Sequence, residues 1–386
     1  DLDLKYEDQS LAAYTADLAP PPIPVVFPMD RNAAIENYEN LLSPDAYKAR
    51  LASGDTENLV PQYTIADDIP DVQYLQIAKR EMMAGGVVKF ELKNRDGSDV
   101  TPFTAGGHID LIIDAPYTRQ YSLAGDPADT QKYVLGILEE PEGRGGSKRA
   151  HERLHEGMIV PVTGPRNHFP LEEKATKTLL FGGGIGITPM IAMAHRLHAI
   201  NAKFDLHYCF RSRKTAGFIE DLLNQPWSKN VKLHISDEGT RANLEALIGK
   251  PKTGKILYTC GPVNFMEAVL STGEKLGWDD DNLRKEYFTV PDLPEYENHA
   301  FDIDIKSTGQ SIHVPADQTL ADVLTENQLP VTQKCRDGLC GTCTLNVVSG
   351  DIEHRDFVLS KKDRASKIVT CCSRATPKGK TIVLDI

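Results

Sequence analysis

Alternating apolar and polar positions dominate the middle of the chain. Four short apolar runs lie at residues 87–92, 108–114, 119–125 and 133–138, and Gly, Pro and Asp residues separate them. Short strands at this spacing predict an antiparallel β-barrel. From Lys177 the pattern changes, and strand-length apolar runs alternate with helical segments, the last of them at 264–277. This alternation predicts a parallel sheet with covering helices.

The two ends of the chain have other patterns. Residues 20–28 contain five prolines, which favour an extended polyproline segment, and a helical spacing follows at 34–42. Residues 1–69 are therefore predicted to be a mostly helical extension, either packed on the main body or docking another polypeptide. Residues 291–299 resemble a linker in composition, and the apolar pattern beyond them predicts a hairpin and then a helix.

Composition excludes several classes of protein. The 386 residues are 40% hydrophobic and 25% charged, as in a globular protein of two to three domains. No run approaches the ~20 apolar residues of a membrane span, and we expect a cytoplasmic protein with no membrane partner. The net charge is −12, and residues 1–69 hold 13 acidic against 4 basic residues. Without a concentrated basic face, nucleic acid is not expected as a partner.

Cysteine is concentrated near the end of the chain. Cys335, Cys340 and Cys343 have the C-x4-C-x2-C spacing of a plant-type [2Fe–2S] loop, and Gly338 and Gly341 allow backbone amides close to the sulfurs. A zinc knuckle would pair two C-x2-C units, and a thioredoxin-like dithiol would precede a helix. Because a strand pattern follows instead, the spacing predicts an iron–sulfur cluster.

The fourth ligand of that cluster is Cys371 or Cys372. Neighbouring residues of a strand face opposite sides, so only one of the two sulfurs can reach the iron. We favour Cys371, with Cys372 as a buried free thiol.

Two motifs of the β-rich region have the chemistry of a flavin site. Arg119 can place two hydrogen bonds on a phosphate, and the ring of Tyr121 can lie against another ring system. The hydroxyl of Ser122 can bond a ring nitrogen such as flavin N5. Residues 144–147 offer a guanidinium, two glycines and a hydroxyl, which suit a phosphate cradle or a plain hairpin turn.

A glycine-rich turn in the α/β region indicates a nucleotide site. Residues 182–189 end a strand and open a helix, with Thr188 expected as its N-cap and Pro189 as its first residue. Free amides there favour a pyrophosphate or a reacting ring, although tight packing would also need glycine. Residues 260–262 end another strand at the edge where such sheets bind ligands. Arg211 could accept a 2′-phosphate.

Taken in order, these motifs resemble the phthalate dioxygenase reductase family of the ferredoxin–NADP reductase superfamily. The resemblance covers about residues 75–386 and is carried by residues 119–123, 143–147, 164–171, 182–190, 260–266, 335–343 and 368–375. It implies a multidomain fold with an FMN-binding antiparallel β-barrel (70–173), an NAD(P)H-binding α/β domain (174–290), the linker (291–299) and an α+β β-grasp ferredoxin domain (300–386). Residues 1–69 depart from the family pattern.

The resemblance also implies site residues. Those expected to hold the flavin and its phosphate are Arg119, Tyr121, Ser122, Leu123, Arg144, Gly145, Gly146 and Ser147. Those expected along the nicotinamide path are Gly183, Gly184, Gly186, Thr188, Arg211, Cys260, Gly261 and Pro262. Ser122 and Cys260 would be catalytic, and the match at 368–375 aligns the fourth ligand with Cys371. No further adenine-binding signature is present, which favours FMN over FAD.

Electron counting completes the implied function. NADH delivers two electrons as a hydride, whereas a [2Fe–2S] cluster accepts one, so a flavin must lie between them. The chain is expected to be the NADH-dependent reductase component that supplies a terminal oxygenase, either a Rieske non-haem iron enzyme or, as second choice, a haem enzyme. NADPH is the less favoured donor. The alternatives are a free-standing diaphorase or quinone reductase, and a non-enzymatic redox sensor.

Overall fold

The computed structural model describes residues 49–50, 53–55, 72–114, 117–141, 143, 145–289, 291, 296–333 and 335–386. The polyproline segment and helices predicted for the N-terminal extension, Arg144, and residues 292–295 of the predicted linker lie outside the described residues. By its contacts the chain forms two compact units. The first unit contains residues up to 171, 188–201 and 210–240, and the second contains residues 172–187, 202–209 and 241–386.

The regular elements are numbered along the chain. The strands are β1 Gln73–Met82, β2 Val87–Lys93, β3 His108–Asp114, β4 Tyr117–Ser122, β5 Tyr133–Leu138, β6 Ile159–Arg166, β7 Lys177–Gly183, β8 Phe204–Phe210, β9 Val231–Ile235, β10 Lys255–Cys260, β11 Leu283–Glu286, β12 Phe301–Ile305, β13 Ser311–Val314, β14 Thr344–Ser349, β15 Ile352–Glu353, β16 Lys367–Val369, β17 Arg374–Ala375 and β18 Thr381–Leu384. The α-helices are α1 Gly146–Arg153, α2 Ile187–Ala199, α3 Ile219–Leu223, α4 Leu244–Ile248, α5 Val263–Lys275, α6 Leu320–Glu326 and α7 Lys361–Arg364. Among the described helices, none is long and apolar enough to cross a membrane.

The first unit is built on a barrel-like antiparallel sheet. Its strand order is β4–β3–β6–β1–β2–β5, and a bridge between Leu123 and Leu135 brings the end of β4 to β5. The four predicted strands are present, which confirms the antiparallel sheet. The strands β1 and β6 were missed. In β1 only Leu75 and Ile77 are buried, so ten residues carry almost no apolar alternation for a sequence pattern to show.

The second unit contains the predicted parallel sheet, in which β11, β10, β7 and β8 are successive neighbours. Apart from their first residues, β7 and β10 are buried throughout, as expected of strands covered on both faces. The N-cap prediction at Thr188 was wrong, because the helix already begins at Ile187. A 3-10 turn at Gly184–Gly186 runs directly into α2, and the Ile187 amide bonds to the carbonyls of that turn.

The end of the second unit is a small mixed domain. Its sheet has the order β13–β12–β18–β14–β16, and β15 pairs with β17 beside it. The predicted hairpin is confirmed as the antiparallel pair β12–β13. In β12 the residues Phe301, Ile303 and Ile305 are buried and the two aspartates between them face outward. Each such apolar side chain contributes roughly 1.5–3 kcal/mol when buried, so this alternation determines the face that packs against α6.

Candidate metal and cofactor sites

The loop of residues 335–343, here called the cluster loop, turns sharply three times. Arg336, Gly338 and Gly341 have left-handed φ angles of 59°, 71° and 66°. Glycine adopts this region without strain, whereas Arg336 is held in it by an ion pair with Asp322 of α6. The amide and hydroxyl of Thr344 both donate to the Gly341 carbonyl, at 3.1 and 2.6 Å. These contacts stabilise the turns of the loop.

Four cysteine side chains interact in pairs in this region. The sulfur of Cys340 hydrogen-bonds with that of Cys335, and the sulfur of Cys343 hydrogen-bonds with that of Cys371. A contact between Cys371 and Cys335 joins the two pairs. Cys335 is partly exposed and the other three are buried. The structure therefore brings the four predicted ligands together.

These contacts shift the acidity of the thiols. The hydrogen bond from Cys371 lowers the pKa of Cys343 to about 6, against the opposing effect of burial. The hydrogen bond with Cys335, together with burial, raises the pKa of Cys340 well above its usual range. For Cys371, the contact with Cys335 lowers the pKa, but its contacts with Cys343 and Cys372 and its burial raise the pKa by more. Cys343 is therefore the sulfur poised as a thiolate, the form that binds metal.

The two adjacent cysteines after β16 lie in a turn rather than in a strand. Because β16 ends at Val369, the strand argument for choosing between Cys371 and Cys372 was wrong in its premise. The sulfur of Cys372 points to the Val369 carbonyl, 3.7 Å away, and its side chain is only partly buried, not fully as predicted. Cys371 packs with Cys343 and Ala321 in a small apolar group, and the partly buried Cys372 packs against the same group.

The donor set fits a [2Fe–2S] cluster. Such clusters take four cysteine thiolates, two at each of the two irons. The sulfur contacts divide in the same way, with Cys335 beside Cys340 and Cys343 beside Cys371. Within the described ranges, no group of three or more His, Cys, Asp or Glu side chains is arranged to hold a metal ion. The fit to a [2Fe–2S] cluster therefore rests on the four cysteine thiols and on their contacts in pairs.

Arg119 and the start of α1 form the candidate phosphate site. The helix begins after Gly145, whose φ is 77°, and no side chain caps it. A Cβ atom on Gly146 would lie 2.5 Å from Nε of Arg119, so the guanidinium lies directly over the helix start. The Ser147 hydroxyl oxygen accepts a hydrogen bond from the Glu140 amide at 3.0 Å. Helix-terminal amides beside a guanidinium suit a phosphate group.

The other residues predicted to bind the flavin lie on two opposite faces of β4. Arg119 and Tyr121 share one face, and alternation directs the buried Ser122 to the opposite face. Burial raises the pKa of the Tyr121 hydroxyl well above its usual range, although the side chain keeps some exposure. Ser122 lies opposite His108 of β3, and Leu123 bridges to β5. The structure therefore brings Arg119 and Tyr121 together and turns Ser122 away from them.

Glycines bring the ends of the parallel strands β7 and β10 close together. A Cβ atom on Gly186 would lie 2.3 Å from the carbonyl of Cys260, and one on Gly261 would lie 2.7 Å from the carbonyl oxygen of Gly183. Gly184 has a φ of 53° and open space around its Cβ position. Since the two strands are direct neighbours, their ends form a backbone edge that a flat ligand can approach.

Cys260 lies at that edge as a buried, neutral thiol. Its side chain is fully buried, and burial raises the pKa of the thiol well above the usual range. A thiol in this state does not act as a nucleophile, so its chemistry is limited to contact with a ligand. Pro262 is the N-cap of α5, directly after the end of β10.

Three further predicted residues have other surroundings. Thr188 lies within α2, and its methyl group would be 3.0 Å from a Cβ atom on Gly136 of β5. Arg211 follows β8 with a side chain that is 84% exposed, 3.7 Å from Asp237. Arg144 lies outside the described residues.

A buried ionic group in the first unit was missed at the sequence level. The side chain of Asp110 is 1% exposed and accepts hydrogen bonds from Arg166 at 2.9 and 3.0 Å and from Thr163 at 2.6 Å. Gln120 donates to its other oxygen at 3.1 Å. A signal was available, because an aspartate inside an apolar strand needs a charged or hydrogen-bonding partner. The helix α1 was also missed, and the hairpin alternative for residues 144–147 was wrong.

Comparison with known proteins identifies the family. Residues 303–376 match the family described as 2Fe-2S iron-sulfur cluster binding domain. The vanillate O-demethylase oxidoreductase of Pseudomonas sp. (strain HR199 / DSM 7063) is 40% identical over 314 residues, which are 80% of this chain and 98% of that protein. The solved phthalate dioxygenase reductase is 32% identical with a TM-score of 0.59, over 82% of this chain and 98% of that one. The chain belongs to the phthalate dioxygenase reductase family.

Membership confirms the predicted class of enzyme and its cofactors. Like other members of the phthalate dioxygenase reductase family, the chain is a flavin and iron–sulfur oxidoreductase that uses FMN and a [2Fe–2S] cluster. It is also similar to an intact type IV self-sufficient cytochrome P450 monooxygenase, with a TM-score of 0.74 and 35% identity over 82% of this chain. That match covers 41% of the monooxygenase, so the chain spans about two fifths of its length.

Proposed function

We propose that this reductase takes electron pairs from NADH at the β7–β10 edge, passes them to FMN at the Arg119 site, and releases single electrons through the cluster loop. The observation that carries the proposal is the match of residues 303–376 to the 2Fe-2S iron-sulfur cluster binding domain, together with the contacts among the side chains of Cys335, Cys340, Cys343 and Cys371. When bound, the flavin supplies the conversion from paired to single electrons.

The proposed flavin residues act by binding and orientation. Arg119, Gly145, Gly146 and Ser147 bind the FMN phosphate through the guanidinium, the free amides of α1 and a hydroxyl, and Arg144 joins them. Tyr121 shares the face of β4 with Arg119 and lies along the flavin ring. Leu123, which bridges to β5, closes the barrel beneath the flavin ring. Ser122 is the last residue of β4 and contacts the ring at that end of the strand.

The residues proposed to bind the nicotinamide ring present mainly backbone atoms to it. Gly183, Gly184 and Gly186 keep side chains away from the ring, and the buried Cys260 thiol with Gly261 and Pro262 forms the wall of the path. The roles of Thr188 and Arg211 along the nicotinamide path stay predictions from the sequence. A comparison of kcat/KM for NADH and NADPH tests the donor, and a tenfold preference for NADPH would overturn the choice of NADH.

The domain division is proposed to follow the sequence pattern. We assign a closed FMN barrel to residues 70–173, the NADH domain to 174–290 and a β-grasp ferredoxin domain to 300–386, with residues 1–69 as an N-terminal extension. The barrel-like sheet and the mixed sheet around α6 support the first and last of these assignments.

The electron acceptor is proposed to be a terminal oxygenase. The relatives named as vanillate O-demethylase oxidoreductase and phthalate dioxygenase reductase support a Rieske non-haem iron partner. A haem oxygenase is the second candidate, because the similarity to the self-sufficient cytochrome P450 has the higher TM-score, 0.74 against 0.59. Co-purification from the native cell, followed by metal and haem analysis of the bound protein, distinguishes the two.

The experiment that tests the route is Cys340→Ser in the holoprotein, with Cys209→Ser in β8 as the matched control. We expect Cys340→Ser to abolish the cluster absorbance and cytochrome c reduction, while NADH still reduces the flavin. Cys209→Ser retains all three. Retained single-electron transfer in Cys340→Ser would contradict the route and favour a diaphorase, and a cluster that NADH cannot reduce in the unsubstituted protein would favour a redox sensor.

A further inference from the structure

The domain that contains the cluster loop carries a groove that the proposed electron route does not use. Its volume is about 780 Å³. Its lining includes one carboxylate and four side chains that carry or can acquire a positive charge: Asp351, His354, Lys361, Arg364 and Lys378. Of these, only the histidine has an ordinary pKa near neutrality, so it is the group of the lining that can exchange a proton with solvent at neutral pH.

The hydrogen bonding of His354 determines which ring nitrogen is free to change. Its Nε2 lies 3.1 Å from the carbonyl oxygen of Arg364. A carbonyl can only accept, so Nε2 carries a hydrogen in both the neutral and the charged ring. In the neutral ring, Nδ1 is therefore an acceptor, and it has no hydrogen-bond partner among the described residues.

Asp356 presents a second acceptor to that nitrogen. Its side chain is fully buried, and Oδ1 accepts from the amides of Val358 and Leu359 at 3.1 and 2.7 Å. The other oxygen, Oδ2, has no hydrogen-bond partner in the described ranges and lies 3.6 Å from Nδ1 of His354. Two buried acceptors thus face each other, and one proton between them would satisfy both.

The charges around His354 leave this proton absent in the resting protein at neutral pH. Burial is the largest effect and lowers the pKa of His354, whereas Asp356 raises it and Arg364 lowers it. Arg364 also lies 3.8 Å from the free oxygen of Asp356, at a distance too long for a hydrogen bond. Lys361, another lining residue of the groove, is 3.6 Å from Asp280. An added negative charge nearby would bring the proton onto the pair.

Asp356 packs directly against the cluster loop. A Cβ atom on Gly338 would lie 3.2 Å from Cα of Asp356 and 2.7 Å from the sulfur of Cys372. The amide of Phe357 donates to the Gly338 carbonyl at 3.1 Å, and Arg364 donates to the Asp356 carbonyl at 2.7 Å. The loop, the buried carboxylate and the groove are therefore connected by direct contacts.

We propose that His354 and Asp356 form a proton-binding site coupled to reduction of the [2Fe–2S] cluster. With a bound cluster that would accept one electron, the pair would gain one proton from solvent through the groove, carried on Nδ1 of His354 and shared with Oδ2 of Asp356. The electron's charge is thereby balanced within the domain. This inference rests on the proposed function, since it requires that the four cysteines hold the cluster.

Reciprocity gives the measurable consequence. If reduction strengthens proton binding, then protonation must strengthen electron binding by the same factor. The equilibrium constant for cluster reduction should therefore rise as pH falls, by up to about tenfold per pH unit between the pKa values of the oxidised and reduced states. Arg364 stays charged throughout and contributes no such dependence.

The test is an EPR-monitored redox titration of the FMN- and cluster-loaded chain between about pH 5.5 and 8.5. We expect His354→Gln to remove the pH dependence. The matched control is His313→Gln, which changes an exposed histidine of the same domain that is paired with Asp302 at 2.7 Å, and which should keep the dependence. Asp356→Asn is a second variant. The side-chain NH2 of the asparagine can donate a hydrogen bond to Nδ1 of His354, so this nitrogen no longer needs a proton from solvent. This variant should also abolish the dependence.

The outcomes separate this inference from the proposed function. A wild-type cluster that titrates identically at every pH, or a dependence that survives His354→Gln, would overturn the proton site while leaving the electron route intact. A chain that binds no iron and gives no EPR signal at any pH would instead remove the proposed function itself.

Discussion

The sulfur of Cys372 lies 2.7 Å from the position that a Cβ atom on Gly338 would occupy. The same atom would be 3.2 Å from Cα of Asp356, and the φ of Gly338 is 71°. The cluster loop therefore has no room for a side chain at this point. We predict that Gly338→Ala reduces iron and sulfide per chain to less than half, measured by metal analysis and by the EPR signal of the reduced protein.

Gly309→Ala is the control for this prediction. Gly309 has nearly the same φ, 70°, but nothing lies within 4 Å of its Cβ position. The substitution therefore introduces only backbone strain, about 1–2 kcal/mol, and should leave the cluster content unchanged. Equal losses of cluster in both variants would mean that strain, and not the contact with Cys372, limits the loop.

The two adjacent cysteines should differ completely in their effect on the cluster. Cys371 contacts the sulfurs of Cys335 and Cys343, whereas Cys372 points to a backbone carbonyl. Cys371→Ser should abolish the visible absorbance of the cluster, and Cys372→Ser should retain it with an altered spectrum at most. Loss of the cluster in Cys372→Ser alone would exchange the two assignments.

The cysteine site could be predicted from sequence because most of it is local. Three ligands lie within nine residues, and the spacing alone restricts how they can meet around one centre. The strand-alternation argument for Cys371 had a wrong premise, because the strand ends at Val369 and both cysteines lie in the turn that follows. A turn of this kind depends on tertiary packing around Cys343, which the spacing does not encode.

The elements that were missed lack a local signal. The helix α1 begins with a glycine and contains three basic residues and a histidine, so it has no clear apolar face, and its place is set by contact with Arg119. The pairing of Asp110 with Arg166 joins residues 56 positions apart. The sequence shows that Asp110 needs a partner, but only the antiparallel pairing of β3 with β6 determines which residue supplies it.

The start of α1 should control the affinity for FMN. Gly146→Ala places a methyl group 2.5 Å from Nε of Arg119, so the guanidinium must move away from the helix amides. We predict a dissociation constant at least tenfold weaker, about 1.4 kcal/mol, measured by quenching of FMN fluorescence. The control is Lys148→Ala on the same helix, where the side chain is exposed and its pairing with Glu152 is long, 3.9 Å. Similar losses in both variants would argue against a phosphate site at Arg119.

The stability of the first unit should depend on Arg166. Without its guanidinium, the carboxylate of Asp110 stays buried and loses a charged partner, while Thr163 and Gln120 still donate to it as neutral groups. Removing one partner of a buried ion pair costs 3–5 kcal/mol, and we expect about 2–3 kcal/mol for Arg166→Met because Arg166 is 29% exposed.

The control for Arg166→Met is Arg213→Met, which removes an ion pair of similar length, 2.8 Å to Glu238, with both partners about half exposed. It should change the free energy of unfolding by less than about 0.5 kcal/mol, because solvent already stabilises both charges. Urea unfolding followed by flavin fluorescence measures both variants. If Arg166→Met is as mild as its control, Asp110 must take up a proton or admit water when the guanidinium is lost. A recovery of stability at low pH in that variant would identify the proton.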